Sequence, residues 1–81
     1  MVRVRLRTRD EAGVAVIDEI KITGDFFMHP EEAIEDLEAR LADTPLIAEA
    51  VHAKVRGFFD SGVEVVGAGV DDLEAVILAA R

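Results

Sequence analysis

Eighty-one residues, 51% of them apolar, are enough for one packed domain and too few for two separate cores. Seventeen Asp and Glu against nine Lys and Arg leave a net charge of −8, which disfavours nucleic acid and anionic membrane as general partners. The absence of cysteine excludes disulfides, thiolate metal sites and a cysteine nucleophile, and the two histidines make no structural zinc site without carboxylates.

The first residues alternate strictly: Val2, Val4, Leu6 and Thr8 on one side, Arg3, Arg5, Arg7 and Arg9 on the other. Such a period of two is a half-buried strand with one charged face, not a secretory signal. Asp10-Glu11-Ala12-Gly13 reads as a turn, in which Gly13 is free to take a positive φ. A second strand is expected over residues 14–23. Ile20 and Ile22 alternate with Lys21, but Ile17 is out of phase with them, which predicts a bulge near Ile17-Asp18. A register pairing Val4 with Ile20 and Val2 with Ile22 sets Arg5 opposite Glu19.

The alternation stops over residues 23–29. Pro30, followed by Glu31 and Glu32, predicts a helix start with Pro at the first helical position. Ala33, Ile34, Leu37 and Leu41 form its apolar stripe, with Glu35, Asp36, Glu38 and Arg40 toward solvent. Thr44 as N-cap and Pro45 as first residue predict a second helix ending near Phe59. Its apolar set is Leu46, Ile47, Ala50, Val51, Val55, Phe58 and Phe59. Val63-Glu64-Val65-Val66 reads as a short strand, and Gly67-Ala68-Gly69 as a turn. Asp71 and Glu74 have capping-box spacing ahead of a last helix that buries Leu73, Val76, Ile77 and Ala80. The expected order is β-β-α-α-β-α: a single α+β domain over residues 1–81. It has two layers, a small, mostly antiparallel sheet with helices on one face. No apolar stretch approaches a membrane span, and the expected location is the cytoplasm.

Little of this resembles an active site. Ser61, the only serine, sits in a helix-stop turn without a base. His29 reads as a turn or N-cap residue and His52 as half-buried packing beside the second helix's stripe. The carboxylates fall on solvent faces. Gly67-Ala68-Gly69 lacks the spacing and lysine of a phosphate loop, and Asp71 and Asp72 would repel a phosphate. No catalytic, cofactor-binding or metal-binding residue is assigned. Two features exceed the needs of a core. The arginine ladder is either the wet face of a hairpin or a surface for an acidic partner or a nucleotide phosphate. In the run Phe26-Phe27-Met28, either Phe26 and Phe27 plug the gap between sheet and first helix or some of these residues present an exposed contact.

Residues 22–38, Ile-Thr-Gly-Asp-Phe-Phe-Met-His-Pro-Glu-Glu-Ala-Ile-Glu-Asp-Leu-Glu, resemble the C-terminal accessory domain of lipoate–protein ligases. In that family a strand ends in the same Ile-Thr-Gly-Asp-Phe-Phe run, followed by a proline helix start and an acidic helix. The Gly-Val before Asp71-Asp72 fits its last helix. The resemblance covers essentially the whole chain, and Met1 opening directly onto the first strand suits the stand-alone form of the domain.

The resemblance implies an accessory, non-catalytic subunit that forms a heterodimer with the catalytic subunit of a lipoate–protein ligase. The complex uses ATP, Mg and lipoate to make lipoyl-AMP and passes the lipoyl group to a lysine of an acceptor domain. Such acceptors are the E2 subunits of 2-oxoacid dehydrogenases and the glycine-cleavage H protein. The implied fold is also similar to iron–sulfur scaffold and SufE-type proteins (SufE/NifU-like), whose cysteines this chain lacks. The alternative reading is an interaction module unrelated to lipoate. For the accessory reading, the surface expected to meet the catalytic subunit is Arg3, Arg5 and Arg7, the segment Gly24, Asp25, Phe26, Phe27, Met28 and His29, or both, rather than the acidic outer side of the first helix.

Overall fold

Alternation in the first quarter of the chain produces an antiparallel hairpin. The computed structural model describes residues 2–80, beginning with β1 (Val2–Glu11) paired along its length with β2 (Val14–Gly24). Ala12 and Gly13 connect them with φ of 54° and 84°, the two positive values of a type I′ turn. The turn is thus two residues long, and Asp10 and Glu11 belong to β1. The bulge lies where the out-of-phase Ile17 put it: Arg7 faces Glu19 and Thr8 faces Ile17, so Asp18 is the extra residue. The register is two residues from the expected one. Val4 pairs with Ile22 and Val2 with Gly24, which sets Arg5 against Lys21, not Glu19.

The segment after β2 is not a loop throughout. β3 (Phe27–His29) pairs antiparallel with β4 (Glu64–Val66), Met28 lying opposite Val65. Two separate two-stranded sheets replace the single three-stranded sheet, and the order becomes β-β-β-α-α-β-α. The α+β class and the antiparallel pairing stand.

Helix α1 (Ala33–Leu41) buries Ala33, Leu37 and Leu41, one stripe at i, i+4, i+8. Its start is later than Pro30 suggests, because residues 30–32 form a turn in which the Ala33 amide donates to the Pro30 carbonyl at 3.0 Å. Helix α2 (Ala48–Phe59) buries Val51, Val55 and Phe58, and also starts late. Thr44 and Pro45 do not begin it. They run beside β2, where the Ile17 amide donates to the Thr44 carbonyl (2.9 Å) and Pro45 bridges to Val16. A tertiary edge contact has overridden the local helix-start signal. Helix α3 (Val70–Ala79) buries Leu73 and Ile77, with Gly69 at its N-cap position. The Gly69 amide donates to Asp72 Oδ2 at 2.9 Å, so this helix start is closed by Gly69 and Asp72, not by Asp71 and Glu74.

Packing follows these stripes. α1 lies against β2, α3 against β1, and α2 packs on both other helices. Ile17, Ile20, Ile22, Met28 and Leu46 join the helical stripes in one core, with Val2, Val4 and Leu6 half-buried at its rim. The opposite face of the hairpin, carrying Arg3, Arg5, Arg7, Glu19, Lys21 and Thr23, is exposed. None of the helices is long and apolar enough to cross a membrane among the described residues.

Candidate partner interface

The open face of the hairpin is set by register. Cross-strand partners there are Arg3 with Thr23, Arg5 with Lys21 and Arg7 with Glu19. Arg7 is paired: its Nη2 lies 2.6 Å from Glu19 Oε2 and its Nε 3.5 Å from Asp18 Oδ2. Arg3 and Arg5 make no ion pair among the described residues. Lys21 leans over the β2 edge, its Nζ 3.8 Å from Glu38 Oε1. Like charges placed directly opposite weaken a ladder, yet Arg5 and Lys21 stand so on a chain of net charge −8. The result is a local cationic strip on an acidic molecule.

Arg9, the last rung, belongs to the scaffold. Its guanidinium contacts Asp43 (2.7 Å), Asp18 (3.1 Å) and Glu11 (3.3 Å), fastening the hairpin to the chain between α1 and α2. Asp43 foremost, then Asp18 and Glu11, hold it charged beyond the ordinary arginine range.

A second surface lies at the far end of β2. Gly24 and Asp25 are exposed there, Phe26 is half-buried against the core, and Met28 is buried. Phe27 instead stands outward with 79% of its surface exposed, beside its cross-strand partner Val66 at 57%. His29 and Glu64 extend this outer face. Phe26 therefore plugs the core while Phe27 does not: period two sends neighbouring side chains to opposite faces. The apolar pair Phe27–Val66 is contributed by residues far apart in sequence, and β3 was too short to announce it.

The turn after β4 supports this end. Gly67 has φ of +97°, and a Cβ there would lie 3.0 Å from the Asp25 carbonyl oxygen and 3.3 Å from Phe26 Cα. Only glycine lets this turn pass so close to the strand that presents Phe27. Other singled-out groups have structural partners. The Ser61 hydroxyl donates to the Phe58 carbonyl at 2.6 Å, closing α2. His52 is more exposed than its position beside the stripe suggests, and its Nδ1 meets Glu74 Oε2 at 2.7 Å between α2 and α3. No three His, Asp or Glu converge as metal ligands among the described residues.

No family model matches the sequence. A curated relative from Thermoplasma acidophilum, described as lipoate-protein ligase A subunit 2, is 38% identical over 56 residues. That alignment covers 69% of this chain and 57% of the relative, so it spans little more than half of that protein's length. The fold comparison reaches further. One chain of the structure of a bi-partite lipoate protein ligase and its E2 lipoyl domain, also from T. acidophilum, superposes with a TM-score of 0.70. The match covers 95% of this chain and 97% of that one, at 25% identity. This chain resembles the second subunit of a lipoate–protein ligase. The resemblance extends from the arginine hairpin to the last helix, because the superposition takes in nearly all of both chains.

Proposed function

We propose that this chain is the accessory subunit of a two-part lipoate–protein ligase, required beside a catalytic subunit to activate lipoate with ATP. The observation that carries the reading is the superposition on almost the whole of a chain from such a bi-partite system. The residues agree with a non-catalytic role: Ser61, His52 and the Gly67 turn serve local structure. ATP, Mg and lipoate then belong to the assembled ligase, which acts in the cytoplasm on lipoyl acceptor domains.

Forming lipoyl-AMP develops charge at the α-phosphate as pyrophosphate leaves, and the site must exclude water meanwhile. A docked subunit assists by favouring the closed, ordered state of the catalytic subunit without supplying a reacting group. The docking surface we assign is the cationic strip of Arg3, Arg5 and Arg7 together with the Phe27–Val66 end. Both are exposed and neither is needed by the core. The acidic outer side of α1 is outside this surface.

The test is formation of lipoyl-AMP by the catalytic subunit with and without this chain. The reading expects strong dependence on the small chain. Equal rates in the two reactions reject it.

A further inference from the structure

The hairpin has two edges, and among the described residues only that of β2 is covered. Along β2, the Ile22 amide donates to Glu38 Oε2 at 2.8 Å. The Ile17 amide donates to the Thr44 carbonyl (2.9 Å), while the Ile17 carbonyl accepts from the Asp43 amide (2.7 Å). The Ala15 carbonyl accepts from Leu46 (2.8 Å). Since Ile22 and Ile17 direct these groups away from β1, their partners Val4 and Thr8 occupy non-hydrogen-bonded positions of the ladder. Alternation then turns the amides and carbonyls of Val2, Val4, Leu6 and Thr8 to the outer edge of β1. Among the described residues nothing bonds to them there.

The side chains around this edge define what fits it. Toward the core, Val2, Val4 and Leu6 are half-buried where Ile20 and Ile22 on the neighbouring strand are buried, so the core rim lacks cover along β1. On the other face, Arg3 and Arg5 lack anionic partners among the described residues, and Arg5 abuts Lys21. An occupant needs backbone groups for the edge, apolar side chains for the rim and carboxylates for the strip. One extended strand supplies all three.

We propose that β1 accepts an extended segment of the catalytic partner as an added strand. In it, carboxylates at alternate positions face Arg3, Arg5 and Arg7, and the apolar residues between them cover Val2, Val4 and Leu6. The proposal rests on the accessory-subunit reading. A second copy of this chain fits poorly, because β1 laid antiparallel on β1 sets arginine against arginine.

The deciding experiment is amide hydrogen exchange of the full chain, alone and with the catalytic subunit. In the free chain the Val4, Leu6 and Thr8 amides exchange fast, whereas those of Arg5 and Arg7, bonded to β2, begin protected. In the complex the first three slow by at least about 10-fold. Thr8→Pro adds a functional arm, because Thr8 is exposed and proline there removes only an outward donor. Its melting temperature stays unchanged while binding weakens roughly 3- to 10-fold, the loss of one strand hydrogen bond. The exchange measurement uses the unaltered chain, so it decides the matter even if Thr8→Pro fails to fold. A complex that forms without slowing Val4, Leu6 and Thr8 overturns strand addition and leaves the accessory reading standing. Absence of any complex overturns both.

Discussion

Glu38 of α1 and Ile22 of β2 are joined by a 2.8 Å hydrogen bond in which the Ile22 amide donates to the Glu38 carboxylate. The Glu38 side chain is only 14% exposed, so a residue placed by helical spacing on the solvent side is a fastener between helix and sheet. Glu38→Ala leaves the amide without its acceptor and lowers stability by about 1–3 kcal/mol. For a domain this small, each kcal/mol moves Tm by roughly 4–8 °C. Glu38→Gln retains an acceptor oxygen and loses less. Thermal and urea melts of the two variants check the order.

Two phenylalanines should respond oppositely to truncation. Phe58 is 1% exposed, and Phe58→Ala costs about 3–5 kcal/mol, a large part of a small domain's total. Phe27→Ala, at a residue 79% exposed, leaves the melt within about 0.5 kcal/mol of the original. If Phe27 is a docking anchor, the same variant weakens binding to the catalytic subunit by about 2 kcal/mol. A melt beside a binding titration separates fold from contact.

Charge reversal on the strip tests its role without disturbing the sheet. Arg3→Glu with Arg5→Glu removes the like-charge pair of Arg5 and Lys21 and sets Glu opposite Lys, so folding is unharmed or gains roughly 0.2–1 kcal/mol. Association should slow markedly at low salt. The difference should shrink as the Debye length falls from about 30 Å at 0.01 M to about 3 Å at 1 M. Glu35→Lys on the exposed side of α1 should change association far less. Stopped-flow association across a salt series reads all of this.

Ile17 broke the alternation of β2 and so announced the bulge, because side-chain phase is a local property. The register of β1 against β2 was beyond that signal. A slip of two residues keeps every side chain on its face, so hydrophobic phase cannot distinguish Val4–Ile22 from Val4–Ile20. Pro30 and Pro45 carry real helix-start propensity, but the first sits in a turn and the second is held against Val16. The arginine strip was legible from its period of two. The Phe27–Val66 pair was not, since β3 is three residues long and β4 lies far along the chain.

Gly67 offers a test of how the apolar end is built. Any side chain there meets both a left-handed backbone at φ +97° and the Asp25 carbonyl at 3.0 Å. Gly67→Ala should therefore destabilise by more than about 1 kcal/mol. At Gly13 the left-handed backbone is the same but there is open space, so Gly13→Ala carries only the backbone penalty. Urea unfolding of the two variants should show Gly67→Ala as the weaker protein.

The accessory role itself is tested most directly by titrating this chain into a fixed amount of catalytic subunit and following lipoate-dependent release of pyrophosphate from ATP. The account predicts little release at the start, then a rise that saturates near one small chain per catalytic subunit. A rate that stays flat across the titration, with both proteins folded, would contradict it.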